Sequence, residues 1–288
     1  MKGFDKRFSD LPDYILKCTA QIWEGRDIKA LDWHYSDDLL VRSPAGVNRG
    51  NTSGKSNTMA TLSEFPDREL FGEDVLWCGD EEIGFLSSHR IFSTATHHGG
   101  AFGQATGLRV SFRTIADTYC YKNRVWDEWL IRDNAAIALQ LGQNAKDAAI
   151  AMINRGDRDT PLTLTNDVVG PYKGSGNTEE WGERHATILR QIMTADFSVI
   201  KEEYDRACHL SLPGGQEVHG WSEADKFWIG LRSAFPTAEF KIDHQMGCVD
   251  PLLSPRSAIR WSLTGSHDGW GRYGSPTGSN VHIMGVSH

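Results

Sequence analysis

The chain carries LSEFPD at Leu62–Asp67 and a related sequence, LRSAFPT, at Leu231–Thr237. A second pair follows in the same order, with FGQATG at Phe102–Gly107 and YGSPTG at Tyr273–Gly278. Both pairs are separated by about 170 residues, far more than the roughly 20–50 residues of a solenoid repeat. The repeat therefore predicts one small domain that occurs twice in tandem, so one fold has to explain both halves.

The repeat divides the chain into three parts. We expect a first domain over residues 1–142, a helical segment and linker over 143–180, and a second domain over 181–288. Each domain is long enough to bury its own core. The second half ends soon after Gly278 and has no counterpart of the strand predicted at Asn123–Asp133. Either a continuation of the chain or another chain supplies this strand, and continuation is the interpretation we favour.

The composition argues against several classes of protein. A net charge of −8 and a pI of about 5.8 argue against a surface for nucleic acid or anionic membrane, which needs a basic patch. No apolar run approaches the roughly 18–20 residues of a membrane span, and Met1–Pro12 lacks the apolar core of a signal peptide. The five cysteines form no CxxC pair. We expect free thiols in a cytoplasmic protein, without nucleic-acid or membrane partners.

Helical patterns precede strand patterns in each half. In the first half we expect a helix between Asp10 and Gly25, a short one from Asp27, and a third over Lys55–Glu64, which ends because a residue before proline avoids the α region. Four segments rich in β-branched and aromatic residues follow as strands: Val75–Cys78, Gly84–Ala95, Arg109–Tyr119 and Arg124–Arg132. This order predicts an α+β fold in which helices pack on one face of a curved antiparallel sheet and leave a cleft.

A longer motif in the first half joins THHG at Thr96–Gly99 and FGQATG to a strand with Asp117 and a later strand with Glu128 and Trp129. The second half repeats its beginning as SHDG at Ser266–Gly269. This pattern resembles the SnoaL-like polyketide cyclase family of the NTF2-like superfamily, over most of residues 12–142 and about 182–288. The resemblance implies two tandem NTF2-like cone domains, in which helices and a curved antiparallel sheet surround a pocket, packed as a pseudo-dimer within the chain.

The resemblance also implies which residues line the pocket. It places Asp117 and His97 at the positions of the family's pocket Asp and His, so Asp117 is the expected base or acid and His97 its partner. A carboxylate that loses solvation in an apolar cavity becomes a stronger base. The alternative is that His97 lies in an exposed hairpin and Asp117 caps a turn. His89 and Arg90 are neighbours on a strand and point to opposite faces, so one of them is expected inside the pocket, stabilising an oxyanion.

Five further residues are candidate substrate contacts. His34 and Arg42 flank a predicted turn at Ser43-Pro44, where a surface or salt-bridge role is the alternative. Trp129 could belong to an aromatic pocket wall or to the core. In the second half, His267 lies in the repeated motif and His288 is aligned with Asp117.

The last strand of the first half leaves two interpretations open. Glu128, Arg132 and Asp133 either line the cavity or form an ion-pair network in an interface. No cofactor and no metal are expected. His89, His97, His98 and Asp117 are residue types that bind zinc or iron, but the chain has no HxH or HxxxH spacing.

The leading hypothesis is a cofactor-independent acid–base enzyme. The first domain would act on a small carbonyl-bearing or polyketide-like molecule as a cyclase, isomerase or lyase. One alternative is a non-catalytic protein that binds a small molecule or acts as a scaffold. Another is a hydrolase in which Asp117 activates water. The expected partners are a small-molecule substrate and, as an open alternative, a second copy of the chain in a homodimer.

Overall fold

A computed structural model describes residues 1–154 and 160–288 of the chain. These residues divide into two compact units. Unit 1 comprises Met1–Lys173 with Pro213–Gly215, and unit 2 comprises Gly174–Leu212 with Gln216–His288. Of the linker predicted within 143–180, residues 155–159 lie outside the described part of the chain.

Unit 1 begins with helices and continues into a six-stranded sheet. Its helices are α1 (Leu11–Trp23), α2 (Leu31–His34), α3 (Asn51–Glu64), α4 (Asn134–Gln140) and α5 (Ala145–Asn154), with a 3₁₀ turn at Ile28–Ala30. Its strands are β1 (Tyr35–Ser43), β2 (Gly46–Arg49), β3 (Glu69–Asp80), β4 (Gly84–Thr96), β5 (Arg109–Tyr121) and β6 (Arg124–Arg132). The α+β class predicted from the sequence is therefore correct for this unit.

The helix ends follow from local chemistry. The side chain of Asp10 accepts the backbone N–H of Asp13 and caps α1, whose proline lies in the first turn. Helix α3 ends at Glu64 because Phe65 precedes a proline and leaves the helical region, with φ at −131°. This end was predicted from the Phe-Pro pair.

The sheet has the strand order β2-β1-β6-β5-β4-β3. The prediction of a wholly antiparallel sheet is wrong, because β1 runs parallel to β6. Strands β1 and β2, on either side of the turn predicted at Ser43-Pro44, were not expected from the sequence. Bulges interrupt the pairing of β1 with β6, of β3 with β4, and of β5 with β6. Such bulges bend a sheet and increase its twist, which produces curvature.

The two faces of this sheet have different neighbours. On the helix-side face, Val75, Phe85 and Cys120 belong to one core cluster with residues of α1. Further along the same face, Val110 and Phe112 pack with residues of α4. Side chains alternate along a strand, so the odd-numbered residues between Phe112 and Cys120 of β5 point to the opposite side, the far face.

Strand β6 borders a recess on the helix-side face. The helix-side residues of β5 from Val110 to Cys120 are all buried. On β6, by contrast, Glu128, Leu130 and Arg132 pair with helix-side residues of β5 and retain accessible surface. We call this part of the helix-side face, where Glu128, Leu130 and Arg132 keep accessible surface, the recess above β6.

Residues 160–173 pack on the far face of unit 1. Leu162 is buried, Asp167 and the carbonyl of Val168 accept hydrogen bonds from Arg42, and the N–H of Tyr172 donates to Asp127. Unit 1 therefore extends to Lys173, beyond the predicted domain boundary at 142.

Unit 2 also begins with helices and continues into strands. Its elements are α6 (Glu180–Met193), α7 (Ser198–Glu203), β7 (His209–Leu212), β8 (Gln216–His219), α8 (Trp221–Ala234), β9 (Glu239–Cys248), β10 (Arg256–Ser266) and β11 (Asn280–Ser287). Strands β11, β10 and β9 form an antiparallel sheet, and β7 with β8 forms a separate hairpin. Among the described residues of unit 2, no strand joins the hairpin to the larger sheet. No helix in the described part of the whole chain is long and apolar enough to cross a membrane.

Candidate functional site

Asp117 lies on the far face of β5. It is 1% exposed and is paired with Ser88 on β4 and with Trp129 on β6. His97 follows the end of β4, nine residues after Ser88, which corresponds to about 30 Å along an extended chain. The prediction that Asp117 and His97 form a catalytic pair is wrong, because alternation turns Asp117 away from the helices and the length of β4 separates the two residues.

His97 supports the loop that contains the repeated motif. Its Nδ1 lies 3.1 Å from the hydroxyl of Thr106, and its carbonyl accepts the N–H of Gly107. Its Nε2 lies 3.5 Å from Oε1 of Glu64, and its ring packs on Phe65. Because His97 is fully buried, the alternative of an exposed hairpin position is also wrong.

His267 makes the equivalent contacts in unit 2. Its Nδ1 lies 3.2 Å from the hydroxyl of Thr277, its carbonyl accepts the N–H of Gly278, and its ring packs on Phe235. The residue equivalent to Glu64 is Ala234. In each unit the histidine of the repeated motif therefore holds a loop closed, which is a structural role.

Three other candidates lie on the far face of unit 1. Arg90 pairs with Glu73 at its partly exposed edge, with Nε 3.2 Å from the carboxylate. Arg42 is buried, forms a 2.9 Å ion pair with Asp127, and lies over the ring of Trp129. None of these residues is directed to the recess above β6.

The remaining histidines differ in their surroundings. His34 is fully buried, and its Nε2 contacts Arg7 and Gln21. His288 is the last residue of unit 2 and is partly buried. His89 lies on the helix-side face, as one member of the His89–Arg90 pair was expected to do, and burial lowers its pKa to about 4. It is a neutral imidazole at neutral pH.

Glu128 is the titratable residue that the structure places in the recess. Burial raises the pKa of its carboxyl to about 7, although the side chain retains accessible surface. Both observations fit a group that faces an enclosed space and not the outer surface. Among the residues that the structure describes, no side chain or N–H forms a hydrogen bond or an ion pair with this carboxylate. The first of the two interpretations left open for Glu128, that it lines the cavity, agrees with this position.

Tyr35 accompanies Glu128. It stands at the start of β1, keeps some accessible surface, and has a pKa raised well above its ordinary value by burial and then by the charge of Glu128. Its hydroxyl is therefore protonated at neutral pH and close enough to Glu128 to sense its charge. A carboxyl with a pKa near 7 beside a neutral phenol can exchange protons with a bound molecule.

Two arginines lie further along the same face. Arg68, in the turn after α3, donates from Nε and Nη2 to the hydroxyl of Ser93, at 3.2 and 3.0 Å. Arg132 ends β6 and pairs with Thr114. Burial lowers the pKa of Arg68 to about 9, with a further contribution from the charge of Arg132. Arg68 was missed from the sequence because an isolated residue in a turn has no periodic signal.

Two clefts open elsewhere on the surface. One, of about 340 Å³, lies in unit 1 beside Asp10, Trp77 and Phe85. The other, of about 220 Å³, lies in unit 2, where Nδ1 of His185 is 2.9 Å from the hydroxyl of Ser257. Neither cleft includes Glu128 or the two arginines. Within residues 1–154 and 160–288, no group of three or more His, Cys, Asp or Glu side chains is placed to hold a metal ion.

No family model and no curated protein matches the chain. Several solved structures are similar to part of it. AclR from Streptomyces galilaeus, a proposed hydroxylase, has 23% identity and a TM-score of 0.40, over 46% of this chain and 94% of its own. IdmH from Streptomyces antibioticus, a proposed polyketide cyclase, has 20% identity and a TM-score of 0.40, over 46% of this chain and 99% of its own. A proposed polyketide cyclase from Acidithiobacillus ferrooxidans has 20% identity and a TM-score of 0.41, over 46% and 94%.

Proposed function

We propose that unit 1 is a cofactor-independent acid–base enzyme in which Glu128 takes and returns the proton. The observation that carries the proposal is a carboxyl group in a recess, without a protein partner among the described residues, whose pKa burial raises to about 7. A general base is most effective when its pKa lies near the working pH. Glu128 thus replaces Asp117 in the role expected from the sequence.

The reaction class follows from what such a group can do. Glu128 removes a proton from carbon next to a carbonyl, and the electron pair moves onto the carbonyl oxygen as an enolate. Protonation at another position gives isomerisation, loss of a leaving group gives elimination, and attack on a second carbonyl gives cyclisation. The Tyr35 hydroxyl is protonated at neutral pH and can donate a hydrogen bond to the oxygen on which charge develops. A small carbonyl-bearing or polyketide-like molecule is the corresponding substrate.

We also propose that both units are NTF2-like cones of the SnoaL-like type, as two copies of one fold. The supporting observations are the shared order of helices and strands and the same His–Thr contact in each loop, His97 with Thr106 and His267 with Thr277. Glu128 belongs to β6, which has no counterpart among the described residues of unit 2. The acid–base function is therefore assigned to unit 1.

Deuterium exchange at the α-carbons of 2-tetralone, followed by NMR in D₂O, tests the assignment. The ketone is neutral and its α-protons are acidic enough to report on a weak base. We expect Glu128→Gln to lower the protein-catalysed exchange rate by at least about 100-fold, the usual contribution of a positioned base. The matched control is Glu82→Gln, at an exposed residue in the turn between β3 and β4.

Asp117→Asn separates the two candidate bases. We expect it to leave the exchange rate within about twofold of the parent, because Asp117 points away from the recess. Exchange that survives in Glu128→Gln and is lost in Asp117→Asn would overturn the assignment. A parent protein that binds 2-tetralone without exchanging its protons would favour the non-catalytic binding module.

A further inference from the structure

The guanidinium of Arg68 is held in a fixed position on the helix-side face. Its side chain is 7% exposed, and two of its nitrogens donate to the same hydroxyl of Ser93. Its Cζ lies 4.9 Å from the ring centroid of Trp23 and 5.1 Å from that of Phe112. These contacts fix the plane of the guanidinium and use one edge of it. No acceptor among the described residues contacts Nη1.

Around Arg68 and Arg132, positive side chains outnumber negative ones. Arg132 is close enough to Arg68 for its charge to lower the pKa of that side chain. Glu64 is the opposite charge that acts on Arg132. Its Oε1 is already engaged by the N–H of Phe102 and lies 3.5 Å from Nε2 of His97. Within the described part of the chain, neither arginine forms an ion pair at 4.0 Å or less. Arg132 also donates from Nε to the neutral side-chain oxygen of Asn134, at 2.8 Å. Because Glu64 acts on Arg132 and no carboxylate among the described residues acts on Arg68, the two guanidiniums leave about one uncompensated positive charge.

Thr114 adds an unused polar group at the same place. It is 4% exposed, lies on the helix-side face of β5 between Phe112 and Ala116, and pairs with Arg132 across the strands. Its hydroxyl has no hydrogen-bond partner among the residues that the structure describes. A buried hydroxyl without a hydrogen-bond partner destabilises the fold unless a ligand or a water molecule forms the missing hydrogen bond.

We propose that Arg68, Arg132 and Thr114 form an anion subsite that binds a carboxylate of the substrate. This inference rests on the proposed function, because it names the substrate class of the same recess. Guanidinium groups pair with carboxylates through directional, charge-assisted hydrogen bonds, and Thr114 supplies a neutral donor. One excess positive charge matches a monoanion. A phosphate dianion would leave a buried negative charge uncompensated.

The position of the subsite constrains the substrate. Arg132 and Glu128 lie four residues apart on β6, about 13 Å between backbone positions, with Leu130 between them on the same face. The carboxylate and the carbon that loses its proton therefore lie at opposite ends of the bound molecule. The substrate is an elongated oxo acid whose middle part is apolar enough to cover Leu130.

Binding of 2-naphthoate, measured by calorimetry, tests the subsite separately from the chemistry. The neutral isostere 2-naphthamide has the same ring system and no charge. We expect the parent protein to bind the acid at least about tenfold more tightly than the amide, since charge-assisted hydrogen bonds are the stronger class. Arg68→Met and Arg132→Met should each abolish this preference, and Thr114→Val should reduce it by a few fold.

Arg109→Met is the matched control, because Arg109 is an exposed arginine of β5 that pairs with Glu69 at the surface. Equal affinity for acid and amide, or full preference in Arg68→Met with its fold retained by circular dichroism, would overturn the inference. Tighter binding of 2-naphthyl phosphate than of 2-naphthoate would overturn the choice of a carboxylate.

The variant Glu128→Gln distinguishes the two proposals. If it binds 2-naphthoate with the parent preference and loses exchange of 2-tetralone, both stand. If it keeps both properties, the subsite stands and Glu128 is not the base. If the parent shows no preference for the acid while Glu128→Gln loses exchange, the subsite is wrong and the proposed function stands.

Discussion

Asp117 and Glu128 lie on neighbouring strands of one sheet, and their carboxylates point to opposite faces. Asp117 pairs with Trp129, and Glu128, the residue before Trp129, pairs with Thr118 on the helix-side face. Asp117 is buried on the far face, whereas Glu128 keeps accessible surface in the recess. A difference of one residue in register thus determines which carboxylate can meet a molecule bound between the helices and the sheet.

The first prediction concerns the pH dependence of stability contributed by Glu128. Its pKa is 4.5 ordinarily and about 7 in the fold. Below pH 4.5 the group is protonated in both states. Between pH 4.5 and 7 the unfolded chain releases the proton first, so the free energy of unfolding falls as pH rises through this window. The loss is about 3 kcal/mol and is complete above pH 7.

Glu128→Gln removes this titration. Urea unfolding at pH 5 and pH 8 should show the variant more stable than the parent at pH 8, by up to about 3 kcal/mol, with a smaller difference at pH 5. Glu82→Gln, at an exposed position, serves as the control. A constant difference between Glu128→Gln and the parent at both pH values would show that the pKa of Glu128 is not raised.

The second prediction concerns His89, whose shift has the opposite sign. Burial lowers its pKa from 6.5 to about 4, so the unfolded chain takes up a proton before the folded protein does. Stability contributed by neutral His89 is present above pH 6.5 and is lost as pH falls toward 4, by about 3 kcal/mol. His89→Gln should lose less stability than the parent between pH 7 and pH 4.5 in the same urea assay. Parallel pH profiles for the two proteins would contradict the expected shift.

Sequence patterns could predict the elements of unit 1 better than the direction of its side chains. The bounds of β6 were predicted correctly at Arg124–Arg132. Strict alternation from buried Val125, however, places Asp127 and Trp129 on the helix side and Glu128 on the far side. The bulge between the Val125 and Asp127 pairs reverses this order, because it inserts one extra residue, Trp126. A bulge is fixed by tertiary packing, so the faces of the strand could not be read from its sequence.

The repeated motif predicted the chemistry of its histidines less well than their contacts. FGQATG and YGSPTG each lie in a loop closed by a histidine, but a catalytic role for His97 or His267 does not follow from their spacing. Both histidines use Nδ1 to hold a threonine of the same loop. A loop that must close tightly needs such internal hydrogen bonds, so a repeated polar residue can indicate a repeated shape.

The third prediction tests this structural role. Thr106→Val removes the hydroxyl that Nδ1 of His97 contacts, and Thr277→Val does the same for His267. Each variant should lose about 1 kcal/mol of unfolding free energy, the typical net value of one hydrogen bond. Faster hydrogen exchange is expected at the amide of Gly107 or Gly278, each bonded to the histidine carbonyl.

The control is Thr52→Val, at an exposed residue of α3. Exchange of 2-tetralone should continue in Thr106→Val, since His97 lies outside the acid–base group. Unchanged thermal stability and amide protection in both loop variants would show that the histidine–threonine contacts do not hold the loops.

The fourth prediction concerns the buried ion pair of Arg42 and Asp127. The two side chains are 3% and 0% exposed, and the N–H of Tyr172 donates to the second oxygen of Asp127. Asp127→Leu leaves the Arg42 guanidinium buried with Asp167 as its remaining carboxylate partner. The free energy of unfolding should fall by about 3–5 kcal/mol, and protease sensitivity should rise across residues 160–173.

A double-mutant cycle separates the pair from the cost of an uncompensated charge. Arg42→Met with Asp127→Leu replaces both charges by apolar groups of similar volume, and we expect it to recover most of the stability lost in Asp127→Leu alone. The Arg90–Glu73 pair at the partly exposed edge is the matched comparison, where Arg90→Met should cost less than about 1 kcal/mol. If the double variant is no more stable than Asp127→Leu, the loss comes from the hydrogen bond to Tyr172, and the far-face segment is held by Asp127 itself and not by the charge pair.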